Sequence, residues 1–261
     1  MRSLIWRLIG LGMLGVLVFG WKQLDALPAA ESVRSGLTPL LLVAASAGGF
    51  FLRSVFLVGI VDTWIHEFGH AATSGLFGGT PDSIRIHADQ SGLTELRGGA
   101  GRLADILVSA GGPCASVAAL IGVCGWVAAG LTKELLAGLA VVVAVVLVTT
   151  VRNTVGWLVG LAVLGLMMGG AAILFGKVAA PPLPLSVPQI LVAVTAMSAG
   201  NALGCSLRNV GRNGGGCDEC QIGAAMHLPE VLVDLAMVSI NAFVLYWVWM
   251  RFGLVAGQLL G

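Results

Sequence analysis

Long uninterrupted runs of apolar residues fill most of this chain and constrain its fold more than any other feature. Of its 261 residues, 57% are hydrophobic and 10% are charged, whereas a soluble domain carries about 25% charged residues. A helix needs roughly 20 mostly apolar residues to cross a bilayer, and within lipid only helices and closed barrels satisfy their own backbone. Because the runs are continuous and do not alternate with polar residues, we expect helices and not a barrel. The sequence therefore predicts an all-α polytopic integral membrane protein.

Eight segments are candidate membrane spans, and a short β-hairpin is expected between two of them. In Gly78–Asp105, SIRIHA alternates apolar and polar residues as a strand does, and a DQSG turn and LTELR follow it. The second and third candidates are separated only by Arg53, so they are two short helices or one broken segment, and the count is six to eight. The candidates cover residues 4–21, 38–52, 55–77, 106–130, 135–151, 154–175, 188–204 and 229–250. We expect one membrane-embedded domain over residues 1–261.

The charge of the chain gives no reason to expect some classes of partner, and it does not fix the orientation of the chain in the membrane. The formal net charge is +1, which gives no reason to expect nucleic acid or an acidic macromolecule as a partner. The stretch Met1–Trp21 starts with basic residues and continues with an apolar run, so it fits a signal peptide or a first membrane helix. We favour an uncleaved helix, because the rest of the chain is rich in spans. The Lys/Arg distribution is nearly balanced, which leaves the orientation open.

The motif HEFGH places His66, Glu67 and His70 within an otherwise apolar segment. On a helix, histidines four residues apart lie on one face, about 6 Å apart along the axis, so both imidazoles can reach one metal ion. Glu67 can then take a proton from a water that the metal activates, as in HExxH zinc proteases. The alternative is a structural polar cluster between helices, but ionisable residues inside a span are costly and are functional hypotheses by default. The motif therefore predicts a metal site that supports catalysis.

Two histidines leave a catalytic zinc ion short of one protein ligand, because such sites usually have three protein ligands and a water. In an extended form of the HExxH motif, a third histidine ligand follows six residues after the second. Leu76 occupies that position here, so the third ligand must come from elsewhere. Asp62, one turn before His66, is expected either to orient an imidazole or to make a polar contact between helices. The remaining candidates lie in or near a late polar segment and are Asp218, Glu219, His227 and Asp234.

The stretch HEFGHAATSGLFGGTPDSIRIHADQSGLT resembles the N-terminal motif region of the site-2-protease-like membrane zinc metallopeptidases. It is most similar to their small bacterial branch, in which HExxHA is followed by a GG turn and a short strand with SGxT. The segment SAGGPCAS (Ser109–Ser116) resembles the small-residue helix start that follows in that family. The resemblance covers residues 60–125 well and is weaker over residues 200–245. It implies a protein of the bacterial plasma membrane that hydrolyses a peptide bond in or near a transmembrane segment.

The resemblance also implies the composition of the site. In that branch the third zinc ligand is an aspartate in a polar stretch before a late helix, and Asp218 fills this place. Zn²⁺ would then be held by His66, His70 and Asp218, with Glu67 as the catalytic base. The expected partners are a membrane protein or peptide substrate and the lipid bilayer. The alternatives are a non-catalytic metal-binding or transport protein and an inactive peptidase-like binding module.

Three cysteines near Asp218 allow more than one structure. Cys217 and Cys220 flank it, and together with Cys205 and His227 they could form a separate structural zinc site. The CxxC pair could equally be a disulfide or redox pair, and free cysteines are favoured over both. Cys114 and Cys124 lie in apolar runs and are expected to be small core residues.

Overall fold

The computed structural model describes residues 2–27, 37–51, 56–98, 101–179, 185–210 and 218–259. Most of these residues are helical. Two antiparallel strands, β1 (Thr80–Ile86) and β2 (Gly92–Arg97), lie between the third and fourth helices. The predicted class, all-α with a β-hairpin after the HExxH helix, is therefore confirmed. The helices are α1 (Arg2–Ala26), α2 (Leu37–Phe51), α3 (Phe56–Leu76), α4 (Arg102–Ala128), α5 (Thr132–Thr149), α6 (Thr154–Leu174), α7 (Val187–Asn209), α8 (Asp218–Met226) and α9 (Glu230–Leu259).

Six of the described helices are long and apolar enough to cross a membrane, namely α1, α4, α5, α6, α7 and, over Glu230–Phe252, α9. The protein is thus an integral membrane protein. The described part of helix α2 has 15 residues, fewer than the roughly 20 that a full crossing needs. Helix α3 has 21 residues, but the ionisable side chains of the HEFGH motif and Asp62 lower its hydropathy. The two candidates around Arg53 correspond to α2 and α3, and residues 52–55 between them lie outside the described ranges.

Helix α4 lies at the centre of the bundle, where it contacts α1, α3, α7, α8 and α9. Its Leu120 and Cys124 are fully buried in a core that includes Leu24 of α1 and Val192 of α7. Cys124 is therefore the small core residue that the sequence predicted. Cys114 is half-buried on the same helix, with its Sγ 3.9 Å from Sδ of Met237 on α9. The α3–α4 contact forms one side of the site described below.

The β-hairpin is fixed to the helices through the outer edge of β1. The N–H of Ile84 donates to the Thr150 carbonyl at 3.0 Å, and the N–H of Arg152 donates to the Ile84 carbonyl at 3.2 Å. The side-chain amide of Asn153 hydrogen-bonds both the N–H and the C=O of Ile86, as a neighbouring strand would. The α5–α6 connection therefore covers this edge. Strand β2 has no second strand beside it among the described residues, and it contacts α3.

Candidate metal centre

His66 and His70 lie one turn apart on α3, and their Nε2 atoms are 3.1 Å apart. The Nδ1 of His70 lies 2.7 Å from the carbonyl oxygen of Val108 on α4. Because a carbonyl only accepts, Nδ1 carries the proton of this hydrogen bond. In the neutral ring, Nε2 then has the lone pair that a metal ion requires, and the ring orientation is fixed from outside the site.

Asp218, the first residue of α8, lies against both histidines. Its Oδ2 atom is 2.9 Å from Nε2 of His66 and 3.2 Å from Nε2 of His70. Burial alone would raise the pKa of the Asp218 carboxyl, but hydrogen bonds and attraction from the two imidazoles outweigh burial and hold this pKa well below its usual range. The carboxylate is thus in the ionised form that a metal ligand needs.

The three atoms have the spacing that one zinc ion requires. Tetrahedral zinc at about 2.0–2.1 Å from each ligand separates its ligand atoms by about 3.3 Å, and the three distances here are within a few tenths of an ångström of that value. Over the described residues, this trio is the one group of His, Cys, Asp and Glu side chains with atoms close enough to share an ion. The residues present therefore fit a metal ion.

The predicted base lines the same cavity as the trio. Glu67 is buried, and the hydroxyl of Thr94 on β2 donates to its Oε2 atom at 2.6 Å. The cavity has a volume of about 440 Å³ and is walled by α3, β2, α4, α7 and α8. The side chain of His66 is 33% exposed, so the trio is accessible from outside the protein.

Gly112 of α4 leaves open the space into which the imidazoles point. A Cβ atom on this residue would lie 2.3 Å from Nε2 of His70 and 2.7 Å from Nε2 of His66, far closer than atoms pack. The resemblance of SAGGPCAS to a family helix start did not indicate this role. Neither Gly112 nor Thr94 belongs to the predicted site residues, because their roles depend on contacts between distant segments.

Asp62 forms a polar contact between helices, which is one of the two roles that the sequence left open. Its buried carboxylate accepts hydrogen bonds from the hydroxyls of Ser116 on α4 (2.7 Å) and Ser198 on α7 (2.6 Å). The amide of Asn201 on α7 donates to its second oxygen at 2.6 Å. Three central helices are thus joined by one carboxylate, one turn before the first histidine.

The other candidates for the third ligand lie outside the trio. Glu219 lines the cavity beside Asp218, and burial raises the pKa of its carboxyl. His227 lies between α8 and α9 with a positive φ of 56°, and Asp234 is buried on α9. Cys220 is part of a disulfide, contrary to the expectation of a free thiol, and is thereby excluded as a thiolate ligand of a structural zinc site.

The comparison with protein families gives one match. The model of the Peptidase M50B-like family matches residues 37–248, more than three quarters of the chain. Searches of curated proteins and of solved structures gave no match. The family match covers α3, the β-hairpin, α4, α7 and α8, which together carry the trio, Glu67 and the cavity, and it confirms the resemblance to site-2-protease-like peptidases. This chain therefore belongs to the Peptidase M50B-like family.

Proposed function

We propose that this protein is a membrane-embedded zinc endopeptidase that hydrolyses a peptide bond in or near a transmembrane segment of a protein substrate. The observation that carries the proposal is the trio of ligand atoms within 3.2 Å of one another, in one cavity with a buried glutamate. Membership of a peptidase family supports the reaction class. The six long apolar helices support a substrate that is itself in the bilayer. We further propose that the bilayer is a bacterial plasma membrane.

In this proposal, His66, His70 and Asp218 hold the zinc ion through the three atoms described above. When bound, zinc supplies a Lewis acid that makes water more acidic and polarises the scissile carbonyl. The histidines and the aspartate contribute a net charge of −1, so the site attracts a divalent cation. The Val108 carbonyl keeps His70 in the tautomer that ligates.

The carboxylate of Glu67 moves the proton. It accepts a proton from the attacking water and passes it to the leaving amine, as a general base and then a general acid. An extended, locally unwound peptide is required, because the peptide bonds of a helix in lipid are shielded and satisfied within the helix. The cavity is lined by backbone and side chains of β2, including Gly92 and Leu93, and has room for a few residues of such a peptide.

Glu67 distinguishes the peptidase from a metal carrier with the same ligands. The purified protein, loaded with zinc in detergent, is incubated with bacterial membrane proteins, and new N-termini are identified by mass spectrometry. We expect Glu67→Gln to retain zinc and to lose every cleavage that the wild type makes. Glu134→Gln, the same chemical change at an exposed position on α5, is the matched control and should cleave normally. Full cleavage by Glu67→Gln would overturn the enzyme proposal. Unchanged zinc content in the His66→Ala/His70→Ala double variant would overturn the metal site.

A further inference from the structure

We infer that strand β2 is the element that positions the catalytic base, with Gly92 providing the space for the Glu67 carboxylate and Thr94 orienting it. The inference rests on the proposed function, because it assigns a role in the same reaction. It also accounts for the SGLT sequence (Ser91–Thr94), which the ligands and the base leave unexplained. Thr94 is a positioning residue here, since it acts through Glu67.

The hydrogen bond from Thr94 is short and specific. Its Oγ1 atom lies 2.6 Å from Oε2 of Glu67 and 3.1 Å from the Glu67 backbone carbonyl. One hydroxyl proton cannot serve both acceptors, and the shorter, charge-assisted bond to the carboxylate is the stronger. Over the described residues, this is the one hydrogen bond that the carboxylate accepts. The Oε1 atom is left to take the proton.

Gly92 brings the backbone of β2 against the other side of the same carboxylate. A Cβ atom on Gly92 would lie 2.5 Å from both Cγ and Oε1 of Glu67. Residues two apart on a strand face the same side, so Gly92 and Thr94 both face Glu67. The Glu67 carboxylate is thus confined by the backbone of Gly92, which approaches closely because it has no side chain, and by the hydroxyl of Thr94, which donates to it.

Strand β2 can fix the position of the Glu67 carboxylate because the strand is itself held in place. Strand β1 pairs with β2, and β1 is anchored by its backbone bonds to Thr150 and Arg152 and by the amide of Asn153. The position of the carboxylate is therefore fixed from the α5–α6 connection through two strands. Rotation of the Glu67 side chain alone would break the bond to Thr94.

The test compares Thr94→Val, Thr94→Ser and Ser83→Ala in the zinc-loaded full-length protein. Ser83 donates to Glu95 at 2.6 Å within the same hairpin, so Ser83→Ala removes the same type of bond without touching Glu67. We expect Thr94→Val to lower kcat about 10- to 100-fold with little change in KM, as loss of a charge-assisted hydrogen bond implies. Thr94→Ser should restore most of kcat, and Ser83→Ala should match the wild type.

A second readout does not depend on turnover. Acetohydroxamate, which chelates zinc and places a hydroxyl beside the base, is titrated into the zinc-loaded variants. Thr94→Val should weaken its binding in the wild-type background but not in Glu67→Gln, because the two residues act as one unit. Gly92→Ala should retain zinc and lose activity as Thr94→Val does. It provides a second test of the role of β2 if Thr94→Val fails to fold.

The outcomes separate the two proposals. Loss of cleavage in Glu67→Gln, together with wild-type kcat and hydroxamate binding in Thr94→Val and Gly92→Ala, would overturn the role of β2 and leave the peptidase intact. Equal weakening of hydroxamate by Thr94→Val in both backgrounds would also overturn it. Full cleavage by Glu67→Gln would overturn the proposed function and, with it, the role inferred for β2.

Discussion

Replacing Gly112 with alanine tests whether α4 shapes the space in which the proposed metal ion is held. The added Cβ would lie 2.3 Å from Nε2 of His70 and 2.7 Å from Nε2 of His66. An ordinary contact is about 3.5 Å or longer, so at least one imidazole nitrogen must move by roughly 1 Å. Metal–ligand distances tolerate only about 0.2 Å, so the displaced ring no longer ligates.

We expect the zinc affinity of Gly112→Ala to fall at least about 100-fold, or about 2.8 kcal/mol. The helix itself should persist, because alanine favours a helix over glycine by about 1 kcal/mol. The assay is a zinc titration against a chromogenic chelator in detergent, with thermal unfolding of the metal-free protein beside it.

Gly165→Ala on α6 is the matched control. A Cβ on Gly165 would meet no described atom within 4 Å, so this variant should bind zinc as the wild type does. Wild-type zinc affinity in Gly112→Ala, with unfolding also unchanged, would refute the position assigned to the ion. A large loss of unfolding temperature in metal-free Gly112→Ala would show instead that the glycine serves helix packing.

Four further changes test other parts of the structure. Asp62→Ala should destabilise the protein by about 2–4 kcal/mol in thermal unfolding, because it leaves buried donors on α4 and α7 unpaired; Asp62→Asn should cost less. Asp218→Ala should reduce bound zinc, measured by mass spectrometry of the metal, whereas Glu219→Ala should not; the reverse result would assign the ligand to Glu219. His227→Gly should raise the unfolding temperature, because glycine accommodates its positive φ without strain. Lowering the pH should weaken zinc binding, because protons compete with the metal for imidazole, whose reference pKa is about 6.5; a zinc affinity that is the same at pH 7 and pH 5 would contradict histidine ligation.

Features encoded by neighbouring residues could be predicted from the sequence. The spacing of His66 and His70 fixes their common face on any helix, so one half of the site followed from local geometry. The alternation in SIRIHA and the DQSG turn likewise indicated the hairpin. The apolar runs predicted every described helix except α8, with boundaries within five residues of those observed, apart from the end of α9, which lies nine residues beyond the predicted end.

Features that depend on contacts between distant segments could not be predicted in this way. Asp218 is 152 residues from His66, and only the family resemblance separated it from Glu219, His227 and Asp234. Asp62 had two possible roles until α7 was placed beside it. Thr94 carries no local signal for its bond to Glu67, because that bond exists only once the hairpin has folded back on α3.

The separation of His66 and Asp218 along the chain also has a consequence for biosynthesis. Chains are made at about 5–20 residues per second, so α8 emerges roughly 8–30 s after the HEFGH motif. During that interval the nascent protein has inserted its first spans but has two of the three ligand side chains. A polypeptide that stalls or is truncated before α8 therefore lacks the means to cleave its neighbours at the translocon, and the proposed activity begins only after α8 has been made.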